Sequence, residues 1–206
     1  NCANCGKPIS SRYFIVELLC GVLFYLLWFK VLTDKLPVSQ LLLYCIVTAF
    51  IVAMAFIDWD CRLIPDKLTY PLILLGLAAA PICTELWGTE SNGRAFVLAL
   101  IATAATALIM SLFAVTGKLI FKQEALGWGD VKYMIAIAAC LGWRGAFFTL
   151  LLGSLAGSLV GIVMMANGKG RLKTAIPFGP FLAGGTYAWM LFSDQIQQLL
   201  RYLLRA

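Results

Sequence analysis

The sequence predicts an all-α fold: a polytopic transmembrane helical bundle with about seven spans. Of the 206 residues, 62% are hydrophobic and only 13% are charged, whereas soluble domains carry about 25% charged residues. So few charges cannot cover the surface of a water-soluble globule, and so much apolar side chain excludes a disordered chain. Apolar stretches of about 20 residues, the length that crosses a bilayer as a helix, recur along the chain.

Seven segments meet the requirement for a spanning helix. They are residues 12–32, 39–57, 67–84, 95–117, 131–143, 146–166 and 178–193. The fifth and sixth are separated only by a tight turn, Gly142-Trp143-Arg144-Gly145. We expect one transmembrane domain over residues 12–193, and an amphipathic surface helix over residues 194–206, where the leucines share one face.

The distribution of basic residues predicts the sidedness of the bundle. Lys and Arg concentrate in the cytoplasmic loops of membrane proteins. The side that holds the N-terminus carries the larger set, and we therefore expect it to be cytoplasmic. The +6 net charge then reflects topology, so the expected partner is the lipid bilayer and not a nucleic acid. The larger set is Lys7, Arg12, Arg62, Lys67, Lys118, Lys122, Lys132, Lys169, Arg171 and Lys173; the opposite side carries Lys30, Lys35, Arg94, Arg144, Arg201 and Arg205.

The chain contains no histidine, which excludes Ser-His-Asp, Cys-His and His-ligated metal chemistry. Acid–base chemistry then falls mainly to the carboxylates, most of which lie in loops or helix caps. Asp66 follows Pro65 and is expected to cap the third span, and Asp60 lies in a polar turn. Glu17 lies about one turn inside the first span, where an acid is a functional candidate or a structural partner for Arg12.

Two aspartates stand at corresponding positions on the cytoplasmic side. Asp58 ends the second span and Asp130 begins the fifth, and the two spans between them return the chain to the same face. Two carboxyls that share a partly dry site cannot both ionise cheaply, so one holds a proton while the other acts as a base. Such a pair activates water and protonates a leaving group.

Gly127 and Gly129 precede Asp130 and carry no side chains, so an extended substrate could approach Asp130 closely. Two alternatives to a catalytic pair stay open on these observations. Both aspartates could be ordinary interfacial loop acids, or the chain could be a carboxylate-based ion- or proton-coupled transporter. A transporter would favour acids near the bilayer midplane and inverted repeats.

Several strings, taken together and in order, resemble the bacterial type IV prepilin peptidases. They are Cys2-Ala-Asn-Cys5 with the following stretch to Glu17, Phe56-Ile-Asp58-Trp-Asp-Cys-Arg-Leu-Ile-Pro65-Asp66, Gly127-Trp-Gly-Asp130-Val-Lys132 and Ile176-Pro-Phe-Gly-Pro180. The resemblance runs across nearly the whole chain. It implies an intramembrane aspartic protease of the Gly-x-Gly-Asp type, in which Asp58 and Asp130 carry the cleavage and no cofactor is needed for proteolysis.

The resemblance also implies the substrates and the location. Prepilins and pseudopilins of type IV pili and type II secretion would lose a short basic leader on the cytoplasmic side of the bacterial inner membrane. The substrate helix would be the protein partner. Many members then methylate the new N-terminus with S-adenosylmethionine, so methyltransfer is a second expected activity.

Family members with both activities carry two Cys-x-x-Cys pairs in a cytoplasmic loop, and four thiolates form a structural zinc site. Here only Cys2 and Cys5 are present, which is half of such a site. We expect residues 1–11 to be the end of a cytoplasmic zinc-type region that continues upstream of Asn1. The other five cysteines are dispersed in or beside spans and are expected to be packing residues.

Overall fold

In a computed structural model, residues 10–121, 126–167 and 177–203 are described, and this part of the chain contains helices and no strand. Six α-helices follow one another, with a short 3₁₀ turn, Thr84–Trp87, between the third and the fourth. They are α1 (Ser11–Asp34), α2 (Val38–Cys61), α3 (Asp66–Ala79), α4 (Asn92–Phe121), α5 (Trp128–Ala166) and α6 (Gly179–Leu203). The predicted all-α class is confirmed.

Local sequence explains where the first three helices begin and end. The Ser10 hydroxyl accepts a hydrogen bond from the backbone of α1. Pro37 and Pro65 hold extended backbone immediately before α2 and α3, because the proline ring fixes φ and removes a donor. Lys35 and Arg62 end α1 and α2 in the left-handed conformation, and their backbone N–H groups bond back to the last turn of each helix.

Helix α5 reverses direction at Gly142, where φ is 74° and ψ is 177°. Tyr133, before this point, and Thr149, after it, both hydrogen-bond to Thr186 of α6. The two arms of α5 therefore run antiparallel, as expected for the predicted turn between the fifth and sixth spans. Glycine suits the reversal because positive φ is accessible to it without strain, and the Trp87 ring packs 3.4 Å from the place a Cβ would take.

Two glycines let the helices of the bundle approach closely. A Cβ on Gly76 of α3 would lie 2.8 Å from the backbone nitrogen of Cys140, in the first arm of α5. A Cβ on Gly185 of α6 would lie 2.6 Å from the carbonyl oxygen of Thr149, in the second arm. In lipid the hydrophobic effect does not drive helices together. Small residues at such crossings let the backbones approach closely, so van der Waals packing holds the helices.

Helix α1 lies at the edge of the bundle and is tied to it by polar contacts. Near its far end, Lys30 is buried and binds Asp34 at 2.6 Å and Asp194 of α6 at 2.8 Å. Halfway along, the Tyr187 hydroxyl donates a 2.6 Å hydrogen bond to the carbonyl of Leu23. Two carboxylates beside one ammonium offset the cost of burying that charge.

Four helices in the described part of the chain, α1, α2, α4 and α5, are long and apolar enough to cross a membrane. The seven-span count is not confirmed. α3 has 14 residues, fewer than the roughly 20 that span a bilayer, and α5, whose two arms meet at Gly142, is one of the four. α6 continues without a break from the predicted seventh span into the predicted tail, as far as Leu203.

Candidate active site

Asp58 lies in the last turn of α2 and is 6% exposed. Its Oδ2 accepts a 2.8 Å hydrogen bond from the backbone N–H of Gly179, the first residue of α6. Unpaired N–H groups and the helix dipole make a helix N-terminus a natural binding place for a carboxylate. The end of α2 is thereby joined to the start of α6.

Gly179 cannot be replaced by a larger residue without disturbing this contact. A Cβ there would lie 2.8 Å from Asp58 Oδ2 and 2.9 Å from Asp58 Cβ, distances that real Cβ atoms do not tolerate. The sequence did not predict that Gly179 belongs to the site. It lies in the Pro177-Phe-Gly-Pro180 string, which on its own indicates only an ordinary helix start.

Asp130 is half-buried in the first turn of α5. Its carboxylate interacts with the backbone N–H of Gly127 and lies close enough to Asp58 for the two charges to interact. Gly127 is the N-cap of the helix, so Asp130 occupies the place from which an acidic side chain reaches back to the cap. The two aspartates, which are far apart in sequence, are thus brought together at one end of the bundle.

Two contacts hold the start of α5 against the segment that follows Asp58. A Cβ on Gly129 would lie 3.1 Å from the Cβ and 3.4 Å from the backbone nitrogen of Ile64. Lys132 Nζ binds both oxygens of Asp66, at 2.6 and 2.8 Å. The space at Gly129 therefore accommodates Ile64, while Gly127 is exposed and remains the glycine through which a substrate would approach.

Asp66 does not cap α3, and that expectation is wrong. The N-cap is Pro65, which has no side chain able to accept a hydrogen bond, and Asp66 is the first helical residue. Its carboxylate turns instead to Lys132, because a neighbouring ammonium offers a stronger, charge-assisted hydrogen bond. Asp66 therefore joins α3 to α5 beside the aspartate pair.

Two other acids near this end have partners or positions that the sequence did not indicate. Asp60 binds Arg12 at 2.6 Å and lies in the last turn of α2. Arg12 also donates to the carbonyl of Phe56 at 3.3 Å. The suggested pairing of Arg12 with Glu17 is thus replaced by one with Asp60. Glu17 is exposed on α1.

The aspartate pair has the groups that acid–base hydrolysis would use. One carboxylate oxygen of Asp58 is held by Gly179, and Asp130 lies in the first turn of α5, within electrostatic reach of Asp58. In a pair of carboxyls that shares a proton, one can deprotonate water while the other protonates a departing group.

Cys2 and Cys5 lie outside the described residues. Within the described part, no group of three or more Cys, Asp or Glu side chains is arranged to hold a metal ion. Cys20, Cys45, Cys61, Cys83 and Cys140 are free thiols, and Cys83 and Cys140 are buried in the bundle. The donor set for zinc is therefore not found among these residues, and the zinc site stays a prediction.

The helices and the site define the class of this protein: an all-helical membrane protein with paired aspartates at the ends of two helices. The model of the type IV leader peptidase family matches residues 45–162, more than half of the chain, and that of the bacterial peptidase A24 N-terminal domain matches residues 1–31. The chain belongs to the type IV leader peptidase family.

Curated relatives agree with this assignment. Proteins named prepilin leader peptidase/N-methyltransferase are 36% identical over 97% of the chain in Burkholderia pseudomallei, 35% over 95% in Stutzerimonas stutzeri, and 36% over 95% in Aeromonas hydrophila. The chain spans about three fifths of the length of these relatives, between 60% and 63%. No solved structure gives a significant match. Membership of this family gives no support to the alternative that the chain is a transporter.

Proposed function

We propose that this protein is an aspartic endopeptidase that removes the basic leader from type IV prepilins or pseudopilins. The observation that carries the proposal is the pair formed by buried Asp58 and half-buried Asp130, which two helix ends bring within electrostatic reach of each other. The names of the relatives supply the substrate class.

In this mechanism the two aspartates divide the roles of base and acid. Asp58 Oδ2 accepts the N–H of Gly179, so Oδ1 would be the oxygen that meets water or substrate. One carboxyl of the pair takes a proton from water as it attacks the scissile carbonyl. The other donates its proton to the amine that leaves, and a contribution of about 10²–10⁴ to the rate is expected from such catalysis. The pair then still holds one proton, now on the other carboxyl, and it returns to its starting state when that proton passes back between the two carboxyls, directly or through water.

The proposal includes a topology. In this topology, which counts the two arms of α5 separately and takes α6 as the last of seven crossings, the aspartate pair lies on the cytoplasmic side of the inner membrane. The excess of Lys and Arg on the side of the N-terminus supports this orientation. A basic leader would then be cut before the rest of the substrate is exported.

Methylation of the new N-terminus is proposed as a second activity of the full-length protein, because the relatives' name includes N-methyltransferase. S-adenosylmethionine would supply the methyl group. A structural zinc ion is proposed for the region that contains Cys2 and Cys5, together with a second thiol pair in the full-length protein.

One experiment tests these activities together. The full-length protein is purified in detergent and incubated with a prepilin, with and without S-adenosylmethionine, and the N-terminus of the product is read by mass spectrometry. We expect loss of the leader in both reactions and a mass gain of one methyl group only with the methyl donor. An intact prepilin would overturn the peptidase proposal, and a cleaved but unmethylated product would overturn methylation alone.

A further inference from the structure

Three hydroxyl groups meet inside the bundle, where both arms of α5 face α6. Tyr133 lies on the first arm, Thr149 on the second and Thr186 on α6, and all three are fully buried; they form the hydroxyl network. The Thr186 hydroxyl lies 2.9 Å from that of Tyr133 and 3.3 Å from that of Thr149. It donates its one proton to the carbonyl of Leu182, at 2.9 Å, so it accepts from both neighbours, which is all that a hydroxyl can accept.

The hydroxyl network lies on the helix faces that carry the aspartate pair. On α5, Tyr133 follows Asp130 by three residues, about one turn, so both side chains lie on one face. On α6, Thr186 follows Gly179 by seven residues, about two turns, and again lies on the same face. Each of these two helices thus carries a residue of the site at its start and a residue of the network further along.

These contacts connect the two aspartates through the interior of the protein. The connection starts at Asp130, follows one turn of α5 to Tyr133 and crosses to Thr186. It then returns along two turns of α6 to Gly179, whose backbone N–H binds Asp58 at 2.8 Å. Helical turns are stiff, because their backbone groups are hydrogen-bonded within the helix. The separation of the aspartate pair therefore depends on the two hydrogen bonds that join the helices.

A second connection between the two aspartates runs over the exposed side of the site. There the segment after α2 contacts the start of α5 through Ile64, beside Gly129, and through the ion pair of Asp66 with Lys132. Ile64 limits how closely α5 approaches, but it does not pull α5 inward. Water and salt screen the exposed ion pair, whereas a hydrogen bond is electrostatically stronger in the dry interior. The buried connection is therefore the one expected to hold the start of α5 in place.

We propose that Tyr133 is a positioning residue for cleavage, and that its bond to Thr186 sets the separation of the aspartate pair. The inference rests on the proposed peptidase function. Two carboxyls share a proton only while they stay close together. The Tyr133 side chain is fully buried and its hydroxyl is bound to Thr186. It therefore acts on the pair through the two helices and does not touch the substrate.

The first test removes this hydroxyl and keeps the ring. In Tyr133→Phe the first arm of α5 loses its bond to Thr186, so the two aspartates are held less closely. A misplacement of about 1 Å in a reacting group costs about a hundredfold in rate. We expect kcat for prepilin cleavage, measured with the full-length protein in detergent, to fall by about tenfold to a hundredfold, with KM within about threefold of normal. An unchanged kcat, or a raised KM alone, would overturn the proposal.

Thr149→Val is the matched control within the hydroxyl network. It removes the bond from the second arm of α5 to Thr186 and leaves the bond from the first arm, which carries Asp130. We expect this variant to lose stability but, well below its unfolding temperature, to keep kcat within about threefold of the unmodified protein. If Tyr133→Phe and Thr149→Val lost kcat equally, general loosening of the bundle would explain both, and the proposal would be wrong.

Two substitutions of Thr186 identify the bond itself. Thr186→Val should lower kcat as Tyr133→Phe does, and Thr186→Ser, which keeps the hydroxyl, should restore most of the activity. The double variant Tyr133→Phe/Thr186→Val should be scarcely slower than either single one, because both changes remove the same bond. A Thr186→Ser protein as slow as Thr186→Val, or losses that multiply in the double variant, would contradict the proposal.

A distance measurement tests the geometry without relying on activity. Trp59 and Trp128 are exposed and lie next to the aspartate pair in sequence. Spin labels at Trp59→Cys and Trp128→Cys, in a protein freed of its natural cysteines, report the distance between the two labels by electron paramagnetic resonance. Tyr133→Phe should shift or broaden this distance and Thr149→Val should not; an unchanged distance in Tyr133→Phe would overturn the proposal. Failure of the unmodified protein to cut prepilin would overturn the peptidase function, while the distance would still decide whether Tyr133 sets the separation.

Discussion

The backbone N–H of Gly179 donates a 2.8 Å hydrogen bond to Oδ2 of Asp58, across two helix ends that are 121 residues apart in sequence. The bond orients the carboxylate before any substrate arrives. Preorganised groups of this kind lower the reorganisation required at the moment of reaction. The position of Asp58 thus depends on the first residue of the last helix.

The first prediction concerns this contact. In Gly179→Ala the new methyl group would lie 2.8 Å from Asp58 Oδ2, so the carboxylate and the start of α6 must move apart. A displacement of about 1 Å in a catalytic group costs on the order of a hundredfold in rate. We expect kcat for prepilin cleavage to fall by about that factor, measured with purified protein in detergent.

Gly21→Ala serves as its control, since the added methyl group meets no atom within 4 Å and alanine favours a helix over glycine. This variant should cleave normally and unfold at the same or a slightly higher temperature. A Gly179→Ala protein as active as Gly21→Ala would show that the bond to Asp58 is dispensable.

The second prediction concerns the pair itself. Asp58→Asn and Asp130→Asn preserve shape but remove a proton-transfer group, so each should lower the cleavage rate by about 10²–10⁴. The double variant should be scarcely slower than either single one, because residues that act as a unit have non-additive effects. Initial rates on a prepilin, followed by gel or mass spectrometry, give the comparison.

Asp60→Asn provides the matched test on the same helix turn. Asp60 is partly exposed and pairs with Arg12, away from Gly179, so we expect this variant to retain substantial activity. If Asp60 proved indispensable and Asp58 dispensable, Asp60 and not Asp58 would be the catalytic partner of Asp130.

The third prediction concerns the ion pair between Asp66 and Lys132. Both side chains are partly exposed, at 53% and 27%, and exposed ion pairs contribute little to stability because water and salt screen them. Asp66→Asn should therefore lower the unfolding temperature little and leave cleavage within about fivefold of normal. A double-mutant cycle with Lys132→Gln, measured by thermal unfolding in detergent, gives the coupling energy. Complete inactivation by Asp66→Asn would place this carboxylate in the chemistry.

The fourth prediction concerns the buried hydroxyl of Thr186. It accepts from Tyr133 and Thr149 and donates to the carbonyl of Leu182. Thr186→Val leaves the other two hydroxyls without this acceptor, at a cost of about 1–3 kcal/mol for each unsatisfied group. The variant should unfold at a lower temperature or denaturant concentration, whereas Thr186→Ser, which keeps the hydroxyl, should lose much less. Equal stability of the two variants would mean that these bonds contribute nothing.

The fifth prediction concerns sidedness. In a protein freed of its natural cysteines, Glu90→Cys lies in the loop before α4 and should react with a membrane-impermeant thiol reagent in intact spheroplasts. Lys67→Cys, at the start of α3, should react only after the membrane is permeabilised. Both positions are exposed, so access depends on the membrane alone. The reverse labelling pattern would put the aspartate pair on the periplasmic side.

The sequence predicted an all-helical protein, because apolar stretches of spanning length depend only on local composition; the count of seven spans and the cytoplasmic side of Asp58 and Asp130 stay predictions. It did not predict that Gly179 would bond to Asp58, since that contact depends on how α2 and α6 pack. It placed Asp66 at a cap, because proline followed by aspartate is typical of a helix start. The choice of Lys132 as the partner of Asp66 is a tertiary effect that local pattern cannot reveal.

Two of the helices beside the aspartates are short for a bilayer. α3 has 14 residues, about 21 Å at 1.5 Å per residue, and the first arm of α5 next to it ends at Gly142 after a similar length. The hydrocarbon core of a membrane is about 30 Å thick. The lipid around this pair must thin, or the polar helix ends must be drawn below the headgroups. Either way, the water-exposed ends of α3 and α5 come closest to the lipid tails beside this pair. Under the proposed peptidase function, a peptide bond would then be cut close to the lipid, at the edge of the membrane and not in open water.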